Sequence, residues 1–179
     1  LQDGGEWAGE KKKPANQLRI TYELTDAFMV DKDGNELEDK PRWLSEDLKV
    51  FSPEVDKAKC NQRYKAIDPA EAHGYNWGEL LGEQCYVMVA HKKSKGKTYD
   101  NVGLVSPYIV SKRNPELPEL VNEPKMFDLD EPDLDVFNSL PDWLKDKIKG
   151  NLEFKGSPLD KLLNGVAQEA DDEVGVDTD

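Results

Sequence analysis

The sequence predicts an α+β fold that is mainly β: a small five-stranded barrel with one inserted helix, followed by short C-terminal helices and a disordered acidic tail. Three observations lead to this prediction. Residues 16–30 alternate apolar and polar side chains with the period of two that is typical of a half-buried strand. Two apolar, β-prone runs flank a turn of lysine, serine and glycine within residues 84–113. The final eleven residues hold six acids and no base.

The first half of the chain predicts two strands and a helix. In residues 16–30 the apolar side chains are Leu18, Ile20, Tyr22 and Leu24. The sequence around Asp33-Gly34 then predicts a turn, and residues 42–51 are predicted to form the second strand. Pro53 is expected to open a helix that Ser52 caps and that runs to about Lys65.

The second half of the predicted barrel is a hairpin. Asn76 is expected to cap a short helical turn that ends at Gly82. Strands are predicted at residues 84–92 and 98–106, joined by a turn in which Gly96 takes a positive φ. Both strands are apolar on both faces near their middles, which favours a closed barrel over an exposed flat sheet.

The order of these elements indicates an OB-like barrel, which has five strands. Four strands and the inserted helix are predicted from the sequence, which begins with Leu1 and a loop-like segment. We therefore expect the fifth strand upstream of Leu1. The barrel is predicted to occupy residues 1–113.

The C-terminal part predicts a linker, short helices and a tail. Residues 114–123 read as the linker, and Pro132 and Pro141 are placed like first-turn prolines of two helices. A third helix is expected to begin at Ser157-Pro158. These elements give a segment at 114–166 that packs on the barrel and a disordered acidic tail at 167–179.

Composition bounds the class of protein. With 37% hydrophobic and 34% charged residues in 179, the chain can build one compact core with loose ends. No apolar run reaches the roughly 18 residues that span a bilayer, and no signal peptide opens the chain, so a cytoplasmic protein without membrane contact is expected. The two cysteines are expected to be reduced structural thiols.

The net charge of −13 is unevenly distributed. Residues 1–113 hold 18 bases and 19 acids, whereas residues 114–179 hold 6 bases and 18 acids. Within residues 84–113 six bases accompany a single acid, Asp100, and three tyrosines lie in the same window. Cations bind phosphates and aromatic faces stack on bases, so this window predicts a nucleic-acid platform.

The predicted DNA-binding residues are lysines and arginines that neutralise phosphates and aromatic residues that stack on bases. Trp43 is chosen because Lys40 and Arg42 precede it, and Tyr99 because it follows the lysine turn directly. The alternatives are a solvated turn that blunts a sheet edge and aromatic residues that serve the core. The full set is Arg42, Trp43, Tyr86, Lys92, Lys93, Lys95, Lys97, Tyr99, Lys112 and Arg113.

Enzymatic chemistry is not expected from this sequence. The text DKDGNE at 31–36 lacks the ligand positions of a calcium loop and is explained by a hairpin turn. The aspartates at 128–135 flank a proline where helix N-termini favour acids. His91 lacks partners that would complete a catalytic set, and no phosphate-binding loop or nucleophile motif is present. No cofactor and no metal ion are expected.

The acidic tail is expected to compete with phosphates for the basic hairpin and to recruit partner proteins. A disordered end that only improves solubility is the alternative. The predicted partner-binding acids are Asp171, Asp172, Glu173, Asp177 and Asp179.

Three stretches resemble a family of early proteins of tailed bacteriophages that are described as single-stranded DNA-binding proteins. The stretches are KPRWLSEDLKVF, LLGEQCYVMVAHKKSKGKTYDNVGLVSP and FNSLPDWLKDKIKGNLEF, and residues 96–107 are the most distinctive part. The resemblance implies single-stranded DNA binding in phage replication and recombination in the cytoplasm of an infected bacterium. Genes of this family often lie near the gene of a RecA-like annealing ATPase. The resemblance therefore implies such an ATPase, or a replication protein, as the partner.

The resemblance covers residues 16–155 and has two departures, of which one is that the N-terminal strand of the family is not found in this sequence. The usual helix text of the family is replaced here by KAKCNQRYKAIDPAEAHGYN. Two hypotheses therefore remain: a sequence-independent single-stranded DNA-binding protein, or a non-catalytic phage adaptor that binds a partner through its C-terminal helices and acidic tail. An enzyme is the least favoured class.

Overall fold

The computed structural model describes residues 1–7, 9–111 and 119–173, and its fold is α+β with mostly strands and a few helices. The α+β prediction is therefore confirmed. The elements follow in chain order: β1 (Glu6–Trp7), β2 (Glu10–Lys11), β3 (Gln17–Val30), β4 (Glu36–Lys49), α1 (Lys59–Ile67), a 3₁₀ helix (Trp77–Leu80), β5 (Cys85–Ser94), β6 (Lys97–Pro107), α2 (Leu134–Ser139), α3 (Asp142–Lys149) and α4 (Pro158–Glu173).

The chain divides into two compact units. The central unit is Asn16–Pro124, and the terminal unit combines Leu1–Ala15 with Lys125–Asp179. The division predicted after residue 113 differs from this one, since the first fifteen residues group with the C-terminal part of the chain. Each unit is described by itself below.

Strands β3 and β4 form the first antiparallel hairpin of the central unit. Its register runs from Gln17 opposite Lys49 to Leu24 opposite Arg42, and an irregularity follows Leu24. Strand β3 is confirmed, but β4 begins at Glu36 rather than at residue 42 because the turn is short. The Asp31 carboxylate accepts hydrogen bonds from the backbone N–H groups of Asp33 and Asn35 at 2.8 and 2.9 Å. The Asp31 carboxylate therefore organises a hairpin turn, as expected for the sequence of residues 31–36.

The helix after β4 begins later than predicted. Residues 52–58 form turns, α1 starts at Lys59, and its N-cap residue Ala58 makes no side-chain capping bond. The Asn61 side-chain amide donates to the carbonyls of Ser52 and Val55 at 2.7 and 3.0 Å. This buried amide satisfies the loop backbone, so the loop is held in place without helical structure. The prediction that Ser52 caps a helix at Pro53 was wrong.

The second hairpin and the helical turn before it agree with the prediction. The Asn76 side chain accepts from the Gly78 N–H, and Gly82 has a φ of +85°. Strands β5 and β6 pair antiparallel, and the turn between them has φ values of +48° at Lys95 and +74° at Gly96. Two consecutive positive φ values are those of a type I′ turn, whose twist suits a two-residue hairpin loop.

Both hairpins and α1 contribute to one apolar core. Tyr22 and Leu44 come from the first hairpin, Val102 and Val105 from the second, and Ala66 from α1. Strand β4 lies against β6, yet the two are not hydrogen-bonded to each other. Among the described residues every sheet has two strands and none closes into a barrel, so the five-stranded barrel stays a prediction.

A buried ion pair fixes α1 beneath both hairpins. The Arg63 guanidinium donates to Glu46 of β4 at 2.7 Å and to the Gly103 carbonyl of β6 at 2.6 Å. The Tyr22 hydroxyl donates to the same carboxylate at 3.1 Å. Burial raises the pKa of Glu46, but the hydrogen bonds and charges of Arg63 and Lys59 outweigh burial and hold that pKa below its usual range.

The terminal unit contains the three α-helices that follow the central unit. Asp133 caps α2 through its side chain, Pro141 is the N-cap residue of α3, and the Ser157 hydroxyl accepts from the Asp160 N–H at the start of α4. Phe137 and Leu159 are buried. The short helices are confirmed, with both prolines lying just before the helices rather than in their first turns.

Helix α4 is longer than the sequence suggested. Its backbone runs to Glu173, so residues 167–173, which were expected to be disordered, are helical. The rest of the predicted tail, residues 174–179, lies outside the described residues. None of the described helices is long and apolar enough to cross a membrane.

Candidate nucleic-acid interface

The tip of the second hairpin is an exposed, mainly cationic surface. Every residue from 91 to 100 is exposed, including Lys92, Lys93, Lys95 and Lys97. Within the described parts of the chain, none of these lysines lies within ion-pairing distance of a carboxylate. By contrast, Lys59 and Lys65 each contact an acid, at 2.6 and 2.8 Å. The tip therefore carries positive charge that no described acid neutralises.

The strand register distributes these cations over two faces of the hairpin. Directly paired residues of an antiparallel ladder share a face, and neighbours along a strand alternate. Lys92 pairs with Tyr99 and Ser94 pairs with Lys97, which places both lysines beside a tyrosine. Lys93 pairs with Thr98 and shares its face with His91. The hairpin was predicted to form one platform, and the strand register divides it into two faces.

The first of these faces, which we name the outer face, points away from the core. Val87 and Val89 pack against the core, so Tyr86 and Met88 lie on the opposite side together with Lys92 and Tyr99. Tyr86, Met88 and Tyr99 are 40, 56 and 48% exposed. The Tyr86 ring lies 4.9 Å from the Tyr108 ring at an interplanar angle of 31°. The outer face thus combines exposed aromatic rings with lysines.

The second face opens into a groove between the two hairpins, and this groove has a volume of about 290 Å³. Trp43 is 59% exposed there. The Arg42 Nε donates to the Phe28 carbonyl at 2.9 Å, which orients the guanidinium at the groove wall. The groove is lined by Leu24, Ala27, Arg42, Trp43, Leu44, Val89, His91 and Asp100.

A hydrogen-bonded pair of residues that was not among the predicted binding residues lies in this groove. The His91 Nδ1 is 2.7 Å from an Asp100 carboxylate oxygen. Since a carboxylate only accepts, the imidazole Nδ1–H is the donor. The two residues occupy paired positions on either side of the Lys95-Gly96 turn. That symmetry about a predicted turn was the signal in the sequence that could have identified the pair.

The other predicted site residues are only partly described. The backbone of Asp171, Asp172 and Glu173 lies in α4. Asp177 and Asp179 lie outside the described residues, as do Lys112 and Arg113. Within the described part of the chain, no group of three or more histidine, cysteine, aspartate or glutamate residues could hold a metal ion.

Comparison of the chain with protein-family models, curated proteins and solved structures finds no match. The functional features of the described residues are therefore the hairpin, the groove and their charges. Two surfaces of the central unit, the outer face and the groove, combine aromatic rings with cations. They meet at the lysine tip.

Proposed function

We propose that the protein binds single-stranded DNA largely independently of sequence, in phage replication or recombination in the bacterial cytoplasm. The observation that carries the proposal is the hairpin tip, whose four lysines have no described acidic partner and where Lys92 and Lys97 lie beside the exposed ring of Tyr99. Lysines that lack counter-charges bind phosphates and release their counterions. The resemblance of residues 96–107 to phage single-stranded DNA-binding proteins supports the same function.

The aromatic residues favour an unpaired strand over a duplex. A stacked duplex hides the faces of its bases, whereas a single strand offers every base face to a ring. Tyr86 and Tyr99 share the outer face, and the ladder separates their positions by six residues of β5. At about 3.3 Å per residue this is roughly 20 Å. A few nucleotides span that distance, with the lysines at one end to hold the backbone.

The remaining parts of the proposal come from the sequence. The acidic tail would regulate DNA access by competing for the lysines and would recruit an annealing ATPase or replication protein. The OB-like barrel is part of the same proposal. Its support is the observed order of two strands, a helix and two strands around one core.

The test removes three charges from the tip. Lys93, Lys95 and Lys97 are replaced together by alanine, and binding of a fluorescent oligo-dT is measured by anisotropy over a series of salt concentrations. Loss of three phosphate contacts should weaken binding and reduce the slope of log K against log salt by about 2. A variant with Lys32, Lys57 and Lys125 replaced by alanine has the same net charge and serves as the control.

The outcomes distinguish binding at the hairpin tip from a general effect of the net charge of the protein. Equal losses in the two triple variants would mean that net charge alone governs binding. Wild-type affinity and slope in the hairpin variant would rule out the tip as the footprint. Competition by duplex DNA at equal affinity would contradict the preference for an unpaired strand.

A second candidate function is a non-catalytic adaptor, and one observation favours it. In the terminal unit Trp143, Leu152 and Leu162 are 54, 54 and 42% exposed. Exposed large apolar side chains that form a contiguous patch are typical of protein-binding surfaces. If the protein neither shifts oligo-dT in a gel nor shows salt-sensitive quenching of its tryptophans, the adaptor function is favoured instead.

A further inference from the structure

The groove between the hairpins has a size and lining that the lysine tip does not explain. Its volume of about 290 Å³ is at the lower end of ligand pockets, which begin near 300 Å³. Its apolar lining comes from Leu24, Leu44 and Val89, with Trp43 at the edge. A flat apolar ligand of the size of one nucleobase suits this volume.

Asp100 is the feature that a simple phosphate site would lack. It is the one acid within residues 84–113, and its side chain is 51% exposed in the groove that it shares with Arg42. A carboxylate repels phosphate, so it does not contribute to holding the DNA backbone. It does accept hydrogen bonds from amino groups, as aspartate and glutamate do from the N4 amino group of cytosine.

The His91 contact places Asp100 for such a role. The 2.7 Å bond from Nδ1 uses one carboxylate oxygen, and the second oxygen has no hydrogen-bond partner among the described residues. The bond also holds the carboxylate across the ladder, on the face that lines the groove. One acceptor is therefore oriented by the protein and one is open to a ligand.

Arg42 and Lys93 supply the charge that a nucleotide's phosphate requires. The Arg42 guanidinium is oriented by its bond to Phe28 and makes no ion pair with a described residue. Lys93 lies on the same face as His91, two residue pairs nearer the tip. The groove thus has a stacking ring, an open acceptor and one cation, Arg42, and Lys93 follows on the same strand face toward the tip. Together these groups match the parts of one nucleotide.

We propose that the groove receives one unpaired base of the bound strand, stacked on Trp43, and that Asp100 selects a base with an exocyclic amino group. The inference rests on the proposed single-stranded DNA binding and adds a local base preference to it. Cytosine offers the N4 amino group, whereas thymine presents a carbonyl oxygen and a methyl group at the corresponding positions. Cytosine should therefore be favoured over thymine in this groove.

The experiment compares oligo-dC with oligo-dT of about 12 nucleotides by anisotropy at mildly alkaline pH. The wild type should bind oligo-dC at least about tenfold more tightly, which is the lower end of the contribution expected of one hydrogen bond to a charged group after solvent competition. In Asp100→Ala the preference should vanish while oligo-dT binds at least as tightly, because an acid beside lysines has been removed. Asp39→Ala, an exposed acid of β4, should keep the preference.

A purely structural role for the pair gives a different result. A cross-strand pair that only supports the hairpin would, when lost, change both affinities by the same factor. Tryptophan quenching by oligo-dC provides a second readout. It should be largely lost in Trp43→Phe and retained in Trp143→Phe, whose exposed ring lies in the terminal unit.

The outcomes distinguish the two proposals. If the wild type binds neither oligonucleotide, single-stranded DNA binding itself fails. If it binds both equally, and the triple lysine variant weakens both, DNA binding stands and the base preference is overturned. Retention of the cytosine preference in Asp100→Ala would also overturn the assignment of Asp100.

Discussion

The stabilising effects of a buried and an exposed cation can be compared at Glu46, because its carboxylate contacts both Arg63, which is buried, and Lys59, which is exposed. Arg63 is 6% exposed and donates to Glu46 at 2.7 Å, whereas Lys59 contacts the other carboxylate oxygen at 2.6 Å and is 54% exposed. Both residues can be replaced by methionine, which preserves an unbranched apolar chain. The two variants each remove one cation from the same carboxylate.

We expect Arg63→Met to lower the free energy of unfolding by about 3 kcal/mol. Loss of one partner from a buried pair costs about 3–5 kcal/mol, and the lower end applies because Lys59 continues to neutralise Glu46. Lys59→Met should cost less than about 1 kcal/mol, as an exposed ion pair does. Arg63 also bonds the Gly103 carbonyl, so its loss leaves a further acceptor of β6 without that partner.

The assay is a urea titration that reports on the central unit alone. Trp77 is suitable because its ring packs at 5.1 Å, edge-on, against buried Tyr64. The other three tryptophans are replaced by phenylalanine so that its fluorescence is isolated. If the two methionine variants differ by less than about 0.5 kcal/mol, the burial argument for this pair is wrong.

The same pair predicts a pH dependence. The pKa of Glu46 is lowered in the folded protein, so its contribution to stability is present above the unfolded pKa of the carboxyl group. That contribution is lost as the pH falls through the lower, folded pKa. Arg63→Met should therefore show a shallower loss of stability on the acid side than the wild type, and equal slopes would contradict this assignment.

Three further predictions concern other parts of the protein. Gly103→Ala should lower the free energy of unfolding of the central unit, measured in urea, by about 1–3 kcal/mol. The added Cβ would lie 2.9 Å from the Met88 Cε and 3.0 Å from the Met88 carbonyl oxygen. Gly165→Ala is the control, because no atom lies within 4 Å of the Cβ added there. Burial raises the pKa of the Cys85 thiol to about 11. Iodoacetamide should therefore alkylate Cys85 roughly a hundredfold more slowly in the folded than in the urea-unfolded protein at mildly alkaline pH. Equal rates would show that the thiolate is accessible in the folded protein. Removal of residues 168–179 should tighten oligo-dT binding most at low salt, and unchanged affinity at every salt concentration would argue against competition by the tail.

The sequence by itself determined the local elements of this protein. Alternation in residues 17–30, the Lys95-Gly96 turn and the capping residues Asn76 and Ser157 predicted elements that the structure contains. These signals depend on backbone dihedrals and on hydrogen bonds between near neighbours, which a short stretch of sequence encodes. The α1 start was missed because the Asn61 amide, nine residues from Ser52, replaces the predicted cap.

Tertiary structure decided how those elements form a site. The sequence supplied the lysines and aromatic residues, but the ladder register placed Lys92 and Lys93 on different faces of the hairpin. Packing of β4 near β6 brought Trp43 and Arg42 to the groove that His91 and Asp100 line. Contacts between residues about fifty positions apart depend on which strands pack together, and composition carries no record of that choice. The role that we propose for Asp100, the single acid of a basic hairpin, depends on this packing.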